Sequence, residues 1–271
     1  MIEALLTNAA VLLAATLVMW AIAVKIHDAS IVDSYWGGGM ALMAAVSWFQ
    51  LSEPGLAANA LAAMAIVWGV RLALHILTRW LKEGEDQRYK RIMKKARENN
   101  TFAFTALTKV FLGQAVLLFA VCSPAQVGIL ASEAPAPLGA LAYFGIALWA
   151  FGMFFETVGD LQLRAFKNDP ANEGKILDTG LWRYTRHPNY FGDACAWWGI
   201  WLVTASIGWD LALYTLIGPV FLTFTLTKWS GAALTEHGMK KKRGDAYADY
   251  IARTSAFVPW PPKSSPGPKS S

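Results

Sequence analysis

Apolar residues occur along this chain in long blocks, separated by polar or strongly charged connections. Each block is close to the roughly 20 residues that an α-helix needs to cross the hydrocarbon core of a bilayer. The pattern therefore predicts an all-α, polytopic membrane protein with seven transmembrane helices. The predicted spans are Ala4–Val24, Ile31–Phe49, Gly55–Leu77, Val110–Leu130, Leu138–Phe155, Tyr190–Ile207 and Leu211–Trp229.

The composition favours the same class. Hydrophobic residues make up 55% of the 271 positions and charged residues 16%, whereas a soluble domain carries about 25% charged residues. A soluble all-α protein with seven such blocks would need an improbably large core. The first block follows the acidic start Met1-Ile2-Glu3, without a small-residue cleavage site, so we expect a span and not a cleaved signal peptide.

Lys and Arg are distributed unevenly among the connections. Eight lie between Thr78 and Thr108, and others precede the sixth block and follow the seventh. Positive residues mark the cytoplasmic side of a membrane, so the N-terminus is predicted outside and the C-terminus in the cytoplasm. This orientation and anionic headgroups explain the basic loops without nucleic acid. The connections that lack Lys and Arg are Met1–Glu3, Gln50–Pro54, Ala131–Pro137 and Gly208–Asp210.

The chain is predicted to form one membrane domain over residues 1–262, without a Rossmann or P-loop motif and without metal-ligand spacing of Cys and His. Gly37-Gly38-Gly39 lies in an apolar span, where small residues allow close helix packing. The charged segment Tyr89–Asn100 is predicted to be either an interfacial helix or a solvated linker. Lys263–Ser271, rich in Pro, Ser and Gly, is predicted to be a disordered tail.

Ionisable side chains within apolar spans are costly and therefore mark functional sites. Arg71 and His75 share one face of the third span with Trp68. They belong either to a binding site or to an ion pair that joins two helices. Asp33 begins the second span and is either an interfacial cap, a partner of Lys25, or an acid that hydrogen-bonds a ligand carbonyl.

Three further ionisable side chains lie at the predicted cytoplasmic end of the fifth span. Glu156, Asp160 and Arg164 are spaced by four residues, which is typical of one helix face. They form either a surface ladder or one wall of a polar pocket.

The most informative stretch is Gly180–Asp193, which reads GLWRYTRHPNYFGD. A basic, aromatic loop leads to Pro188, a residue suited to the first turn of a helix. The helix that follows presents Asn189, Asp193 and Trp197 on one face. Guanidinium groups bind phosphates, aromatic rings stack on heterocycles, and Asn with Asp can bind an amide or hydroxyls. The pattern therefore indicates a nucleotide site.

This motif, with VDSYWGG near the second span, GEDQRY after the third and RTSAFVPW near the end, resembles the bacterial steroid 5-alpha-reductase-like family. That family, formerly a domain of unknown function, is related to the eukaryotic steroid 5-alpha-reductases and the sterol C14/C7 reductases. The resemblance implies a seven-helix bundle in the bacterial inner (cytoplasmic) membrane and NADPH as cofactor. It also implies hydride transfer to the conjugated double bond of an apolar, steroid-like or isoprenoid enone.

The resemblance assigns cofactor contacts to the fifth helix, the loop after it and the sixth helix, to which we add the polar face of the third span. The predicted cofactor-binding residues are Arg71, His75, Asp160, Arg164, Lys167, Lys175, Tyr184, Arg186, His187, Asn189, Asp193 and Trp197. Basic residues of this set are expected to bind the adenosine phosphates, whereas Asn189, Asp193 and Trp197 are expected to orient the nicotinamide.

For the substrate the match is less direct. Eukaryotic steroid reductases bind the ketone with a Gln-Glu pair in the second helix and a Tyr in the third. Matching the spans puts Val32-Asp33 at the pair and Trp68 near the tyrosine, so Asp33 substitutes for the Glu, while the Gln and Tyr have no direct replacement. We predict Asp33 and Tyr35 as catalytic and Trp36 and Trp68 as substrate-binding.

Two other functions compete with reduction. Membrane methyltransferases that act on isoprenylcysteine or phospholipids carry a similar RHPxYxG run, at which they bind S-adenosylmethionine. Asn189, Asp193 and the length of the resemblance argue against them. A non-catalytic membrane scaffold is disfavoured by the many polar groups on shared helix faces. Membrane lipid is the expected surrounding, and the sequence indicates no obligate protein partner.

Overall fold

The computed structural model describes residues 1–229 and 231–263, and the regular elements of these residues are helical. Strand-like pairing among them consists of single bridges, Pro54 with Glu133 and Thr185 with Ser255. The predicted all-α class is therefore confirmed for the described part of the chain. Of the predicted disordered tail, residues 264–271 lie outside the described residues.

The helices cover most of the described chain. Their bounds are α1 Ile2–Ile26, α2 Val32–Phe49, α3 Leu56–Glu83, α4 Gln87–Glu98, α5 Phe102–Ala106, α6 Leu112–Val121, α7 Ser123–Leu130, α8 Ala140–Asn168, α9 Pro188–Ile207, α10 Trp209–Thr215, α11 Ile217–Phe224 and α12 Ala232–Arg253. Short π-helical turns at Leu107–Phe111 and Thr225–Trp229 precede α6 and follow α11. The predicted fourth span divides at Cys122, because Pro124 lies in the first turn of a new helix, where its missing N–H costs nothing.

Five helical stretches of the described residues are long and apolar enough to cross a membrane. By length and composition they are Ile2–Ile26, Leu56–Glu83, Phe102–Val121, Ala140–Asn168 and Trp209–Arg253. The predicted spans Ile31–Phe49 and Tyr190–Ile207 form α2 and α9, but Asp, Gly and Trp residues lower the mean hydropathy of both. The seven-span count and the orientation of the termini stay predictions.

The chain packs as two compact units. Unit 1 comprises Met1–Ile146 and Ile200–Gly218, and unit 2 comprises Ala147–Gly199 and the described residues from Pro219 onward. The prediction of one reductase domain over residues 1–262 stays a prediction.

In unit 1, α2 and α3 approach each other closely at two glycines. A methyl group on Gly37 would lie 2.4 Å from the carbonyl oxygen of Gly69, and one on Gly69 would lie 2.3 Å from that of Gly37. Real Cβ atoms do not come this close to backbone, so neither position accepts a side chain without moving a helix. The close-packing role predicted for the glycine run is confirmed at Gly37.

The charged segment after α3 is a helix, which confirms the helical alternative. Asp86 caps α4, accepting a hydrogen bond from the backbone N–H of Arg88 at 2.7 Å. The buried face of α4 consists of Tyr89, Met93 and Ala96, which join the apolar cluster of unit 1. This packing brings the GEDQRY motif to the beginning of α2.

In unit 2, α8 and α9 also meet through glycines. A methyl group on Gly152 would lie 2.5 Å from the carbonyl oxygen of Gly192, and one on Gly192 would lie 2.5 Å from that of Gly152. Helix α9 begins at Pro188, as the sequence predicts. The close approach sets the end of α8 beside the first turn of α9.

Candidate functional site

Two predicted cofactor residues meet where α8 approaches α9. The amide nitrogen Nδ2 of Asn189 donates a hydrogen bond to Oδ1 of Asp160 at 3.0 Å. The other end of this amide, Oδ1 of Asn189, is buried and accepts no hydrogen bond within the described residues. Leaving a buried acceptor in this state costs about 1–3 kcal/mol. A ligand amide that donates to this oxygen would remove the cost, so the site fits the carboxamide of a nicotinamide cofactor.

Asp193 and Trp197 follow Asn189 on the same face of α9. Both side chains are buried, and both interact with other groups of the protein. Three of the predicted cofactor residues thus form one strip along the helix.

The part of the GLWRYTRHPNYFGD motif that precedes Pro188, residues 180–187, is called the motif loop here. Its residues Arg186 and His187 bind one carboxylate. Nε of Arg186 donates to Oε1 of Glu236 at 2.8 Å, and Nε2 of His187 lies 3.1 Å from the same oxygen. Arg186 also donates to the carbonyl oxygen of Thr254 at 2.5 Å. Both residues are buried, so they fix the loop against α12. Their predicted contact with the cofactor stays a prediction.

The segment after α12 pairs with the same loop. The backbone N–H of Arg186 donates to the carbonyl of Ser255 at 2.9 Å, and the hydroxyl of Thr185 donates to that of Phe257 at 2.8 Å. The N–H of Trp260 donates to the carbonyl of Tyr184 at 2.9 Å. The structure therefore brings the motif RTSAFVPW onto the motif loop, although 72 residues separate Thr185 from Phe257.

The remaining predicted cofactor residues of unit 2 are accessible to solvent. Arg164, Lys167, Lys175 and Tyr184 are exposed. Basic side chains bind phosphates, and the contact of these residues with the cofactor stays a prediction. A separate cavity of about 630 Å³ is lined by Asp178, Thr179, Gly180, Arg183, Arg253, Pro262 and Lys263. Arg253 there is bound to Asp178 at 2.6 Å, which neutralises part of the basic lining.

In unit 1, the carboxyl of Asp33 is hydrogen-bonded at both oxygens. The hydroxyl of Tyr89 donates to Oδ1 at 2.6 Å, and Nη2 of Arg88 donates to Oδ2 at 2.9 Å. Burial, and then the neighbouring Asp33 carboxylate, raise the pKa of Tyr89, so the phenol keeps its proton and remains a donor. The predicted alternative of a partnership between Asp33 and Lys25 is replaced by these contacts.

The other predicted substrate and cofactor residues of unit 1 contact different groups. The hydroxyl of Tyr35 donates to the carbonyl of Leu12 at 3.3 Å and thus faces α1. Trp36 donates to the side chain of Gln114. Trp68 is buried in α3, and Arg71 and His75, which are partly buried one and two turns later, both interact with other groups. Their assigned roles in substrate and cofactor binding stay predictions.

Comparison with known proteins places the chain in a family. The sequence model of the family described as "Protein of unknown function (DUF1295)" matches residues 19–254. The chain belongs to this family. The resemblance drawn from the four motifs is confirmed at the level of the family.

The DUF1295 chain is also similar to enzymes with described names. It is 29% identical to 3-oxo-5-alpha-steroid 4-dehydrogenase 1 of Rattus norvegicus over 116 residues, which cover 43% of this chain and 40% of the rat protein. The Bos taurus protein of the same name is 38% identical over 72 residues, 26% and 28% of the two chains. The Ustilaginoidea virens protein named probable O-methyltransferase ustE is 31% identical over 116 residues, 43% and 37%. The chain spans less than half the length of each relative, and no solved structure matches it.

Sequence reasoning on this DUF1295 member did not select three residues that the structure shows at these sites. Tyr89 is the last residue of GEDQRY, Gln114 is a polar residue within an apolar block, and Glu236 precedes a basic run. The amide of Gln114 within an apolar block was a usable signal, because such groups need a partner in a membrane. Glu236 gave no signal, since an acid beside lysines is typical of a solvated helix.

Proposed function

We propose that this DUF1295 protein is a membrane-bound oxidoreductase that uses NADPH to reduce the conjugated C=C of a Δ4-3-oxosteroid-like enone. The similarity to mammalian proteins named 3-oxo-5-alpha-steroid 4-dehydrogenase 1 supports the reaction class. The five apolar helical stretches found among the described residues support a substrate that dissolves in lipid. The cofactor assignment depends on one observation above all, the buried oxygen of Asn189 that lacks a donor among the described residues.

Unit 2 carries the residues that would hold NADPH. Arg164, Lys167 and Lys175, all exposed, would bind the phosphates, and Asn189 would accept a hydrogen bond from the nicotinamide carboxamide. When bound, NADPH supplies the hydride that the β-carbon of the enone receives. A charged hydrogen bond to the 2′-phosphate contributes about 1.5–3 kcal/mol, which predicts roughly 10- to 100-fold preference over NADH.

Unit 1 carries Asp33, which is proposed to act on the ketone oxygen. In its protonated form the carboxyl donates a hydrogen bond from Oδ2, and the negative charge that develops on the ketone oxygen strengthens this bond. The partner of Oδ2 in the structure, Arg88, has a side chain that is 47% exposed, so solvent screens this ion pair and weakens it. A ligand oxygen can therefore take the place of Arg88 at Oδ2 of Asp33.

The cofactor half of the proposal is tested by nucleotide binding. The melting temperature of the full chain in detergent is measured with NADPH, NADH or S-adenosylmethionine. The same measurement is made on Asn189→Ala and on the control Asn99→Ala, which removes an exposed amide at the end of α4. We expect NADPH to stabilise the parent and the control most, and Asn189→Ala least. Stabilisation by S-adenosylmethionine alone would favour methyl transfer, the alternative that the similarity to ustE makes specific.

The substrate half is tested by turnover of testosterone with NADPH. Asp33→Asn cannot give up a proton, so kcat and kcat/KM should fall together, by roughly 10²–10³-fold as for loss of an oxyanion donor. NADPH affinity should not change. Parent-like turnover by Asp33→Asn would show that the carboxyl is structural, and absence of turnover by the parent would exclude testosterone-like enones.

A further inference from the structure

The carboxyl of Asp33 ends a chain of hydrogen bonds that involves three helices. Nε1 of Trp36, on α2, donates to Oε1 of Gln114, on α6. Nε2 of Gln114 donates to the hydroxyl oxygen of Tyr89, on α4, at 3.0 Å. The hydroxyl of Tyr89 then donates to Oδ1 of Asp33 at 2.6 Å.

The direction of each bond in this chain is determined by chemistry. The indole of Trp36 can only donate, so the carbonyl end of Gln114 must face it. The amino end of Gln114 then faces Tyr89, whose oxygen accepts this bond and whose single proton is left for Asp33. All the donors therefore point toward the carboxyl, an arrangement in which each bond polarises the next.

Burial separates the roles of the two residues at the end of the chain. Tyr89 is 7% exposed, whereas the side chain of Asp33 is 19% exposed. The carboxyl is therefore the more accessible of the two groups. A ligand oxygen would therefore meet Asp33, and Tyr89 would act through it.

We infer that Tyr89 is a positioning residue for the reduction: with Gln114 and Trp36 in the same hydrogen-bond chain, it fixes Oδ1 of Asp33, while the substrate oxygen takes the place of Arg88 at Oδ2. This inference rests on the proposed function of Asp33. As the β-carbon receives hydride, the proton of Oδ2 passes to the ketone oxygen and forms an enol. The α-carbon then takes a proton from water, which leaves as hydroxide, and the enol proton returns to the Asp33 carboxylate to give the saturated ketone. The donor chain stabilises the negative charge on the carboxylate between these steps.

The test is a double-mutant cycle of Tyr89→Phe and Asp33→Asn in the full chain, with testosterone and NADPH. Tyr89→Phe should lower kcat by about 10- to 100-fold, the effect of one hydrogen bond to a charged group. KM for NADPH should not change. In the Asp33→Asn background the second substitution should have no further effect, because it acts through that carboxyl. Tyr143→Phe, which removes a hydroxyl from a 61% exposed side chain of α8, is the control expected to match the parent.

The outcomes distinguish this inference from the proposed function. A slow Asp33→Asn variant with a parent-like Tyr89→Phe variant overturns the inference alone, and so do additive losses. If Tyr89→Phe does not fold, Gln114→Met replaces it in the cycle, because this substitution removes the group that donates to the hydroxyl oxygen of Tyr89. Gln114→Met should lower kcat by about threefold to tenfold. A parent-like kcat for Gln114→Met contradicts the inference. If the parent reduces no steroid, the same cycle is measured on the melting temperature, where additive changes would show that Tyr89 does not position Asp33.

Discussion

Replacing Glu236 by Ala should loosen the motif loop and weaken NADPH binding. The substitution removes the acceptor of Arg186, at 2.8 Å, and the partner of His187, at 3.1 Å. The side chain of Arg186 is only 8% exposed, so its charge is left buried. Because this loop leads directly into Asn189, disorder there would displace the proposed carboxamide contact.

The magnitude follows from the surroundings of Arg186. Breaking a buried ion pair by removing one partner costs about 3–5 kcal/mol. We expect the lower end, about 3 kcal/mol, because the carbonyls of Ile251 and Thr254 still accept from the guanidinium. With about 2–4 °C for each kcal/mol, the melting temperature should fall by about 6–12 °C.

A matched control lies on the same helix. Asp249 pairs with Arg253 at 3.1 Å, but its side chain is 46% exposed, and exposed pairs contribute about 0–1 kcal/mol. Asp249→Ala should therefore melt close to the parent and bind NADPH normally. The assay is melting in detergent with and without NADPH. If the two variants melt at the same temperature, the Arg186–Glu236 contact does not stabilise the loop and this reasoning is refuted.

Two further predictions concern packing and topology. Gly37→Ala should prevent normal folding, because its methyl group would lie 2.4 Å from a backbone oxygen, whereas Gly38→Ala should be tolerated, since the nearest neighbour of its methyl group would be 3.8 Å away. Size-exclusion profiles in detergent would compare the two variants. A normal profile for Gly37→Ala would contradict the close approach of α2 and α3. Reporter fusions at Pro54, Glu133 and Ser271 should report outside, outside and inside, as the charge distribution predicts; a cytoplasmic signal at Glu133 would exclude the seven-span topology.

The helix boundaries show which structural features the local sequence pattern predicts and which it does not. Pro188 begins α9 as predicted, because the preference of proline for the first turn is a property of its own ring. The predicted span Val110–Leu130 is instead divided between α6 and α7. Hydrophobicity continues through this break, so a search for apolar blocks does not detect it. The charged segment beginning at Tyr89 allowed a helix or a linker, and packing of its apolar face in unit 1 decided for the helix.

The sequence alone determined the all-α class, the apolar helical stretches and the family, because length, composition and motifs are properties of consecutive residues. It also selected Asp33, Asp160 and Asn189 as chemically important. Only the tertiary structure decided which side chains meet: Asp33 with Tyr89, Asn189 with Asp160, and Arg186 with Glu236. These partners are 29 to 56 residues apart in the chain. Helical periodicity gives the face of a residue on its own helix, but the rotation and spacing of neighbouring helices depend on contacts such as Gly37 with Gly69, which no local pattern encodes.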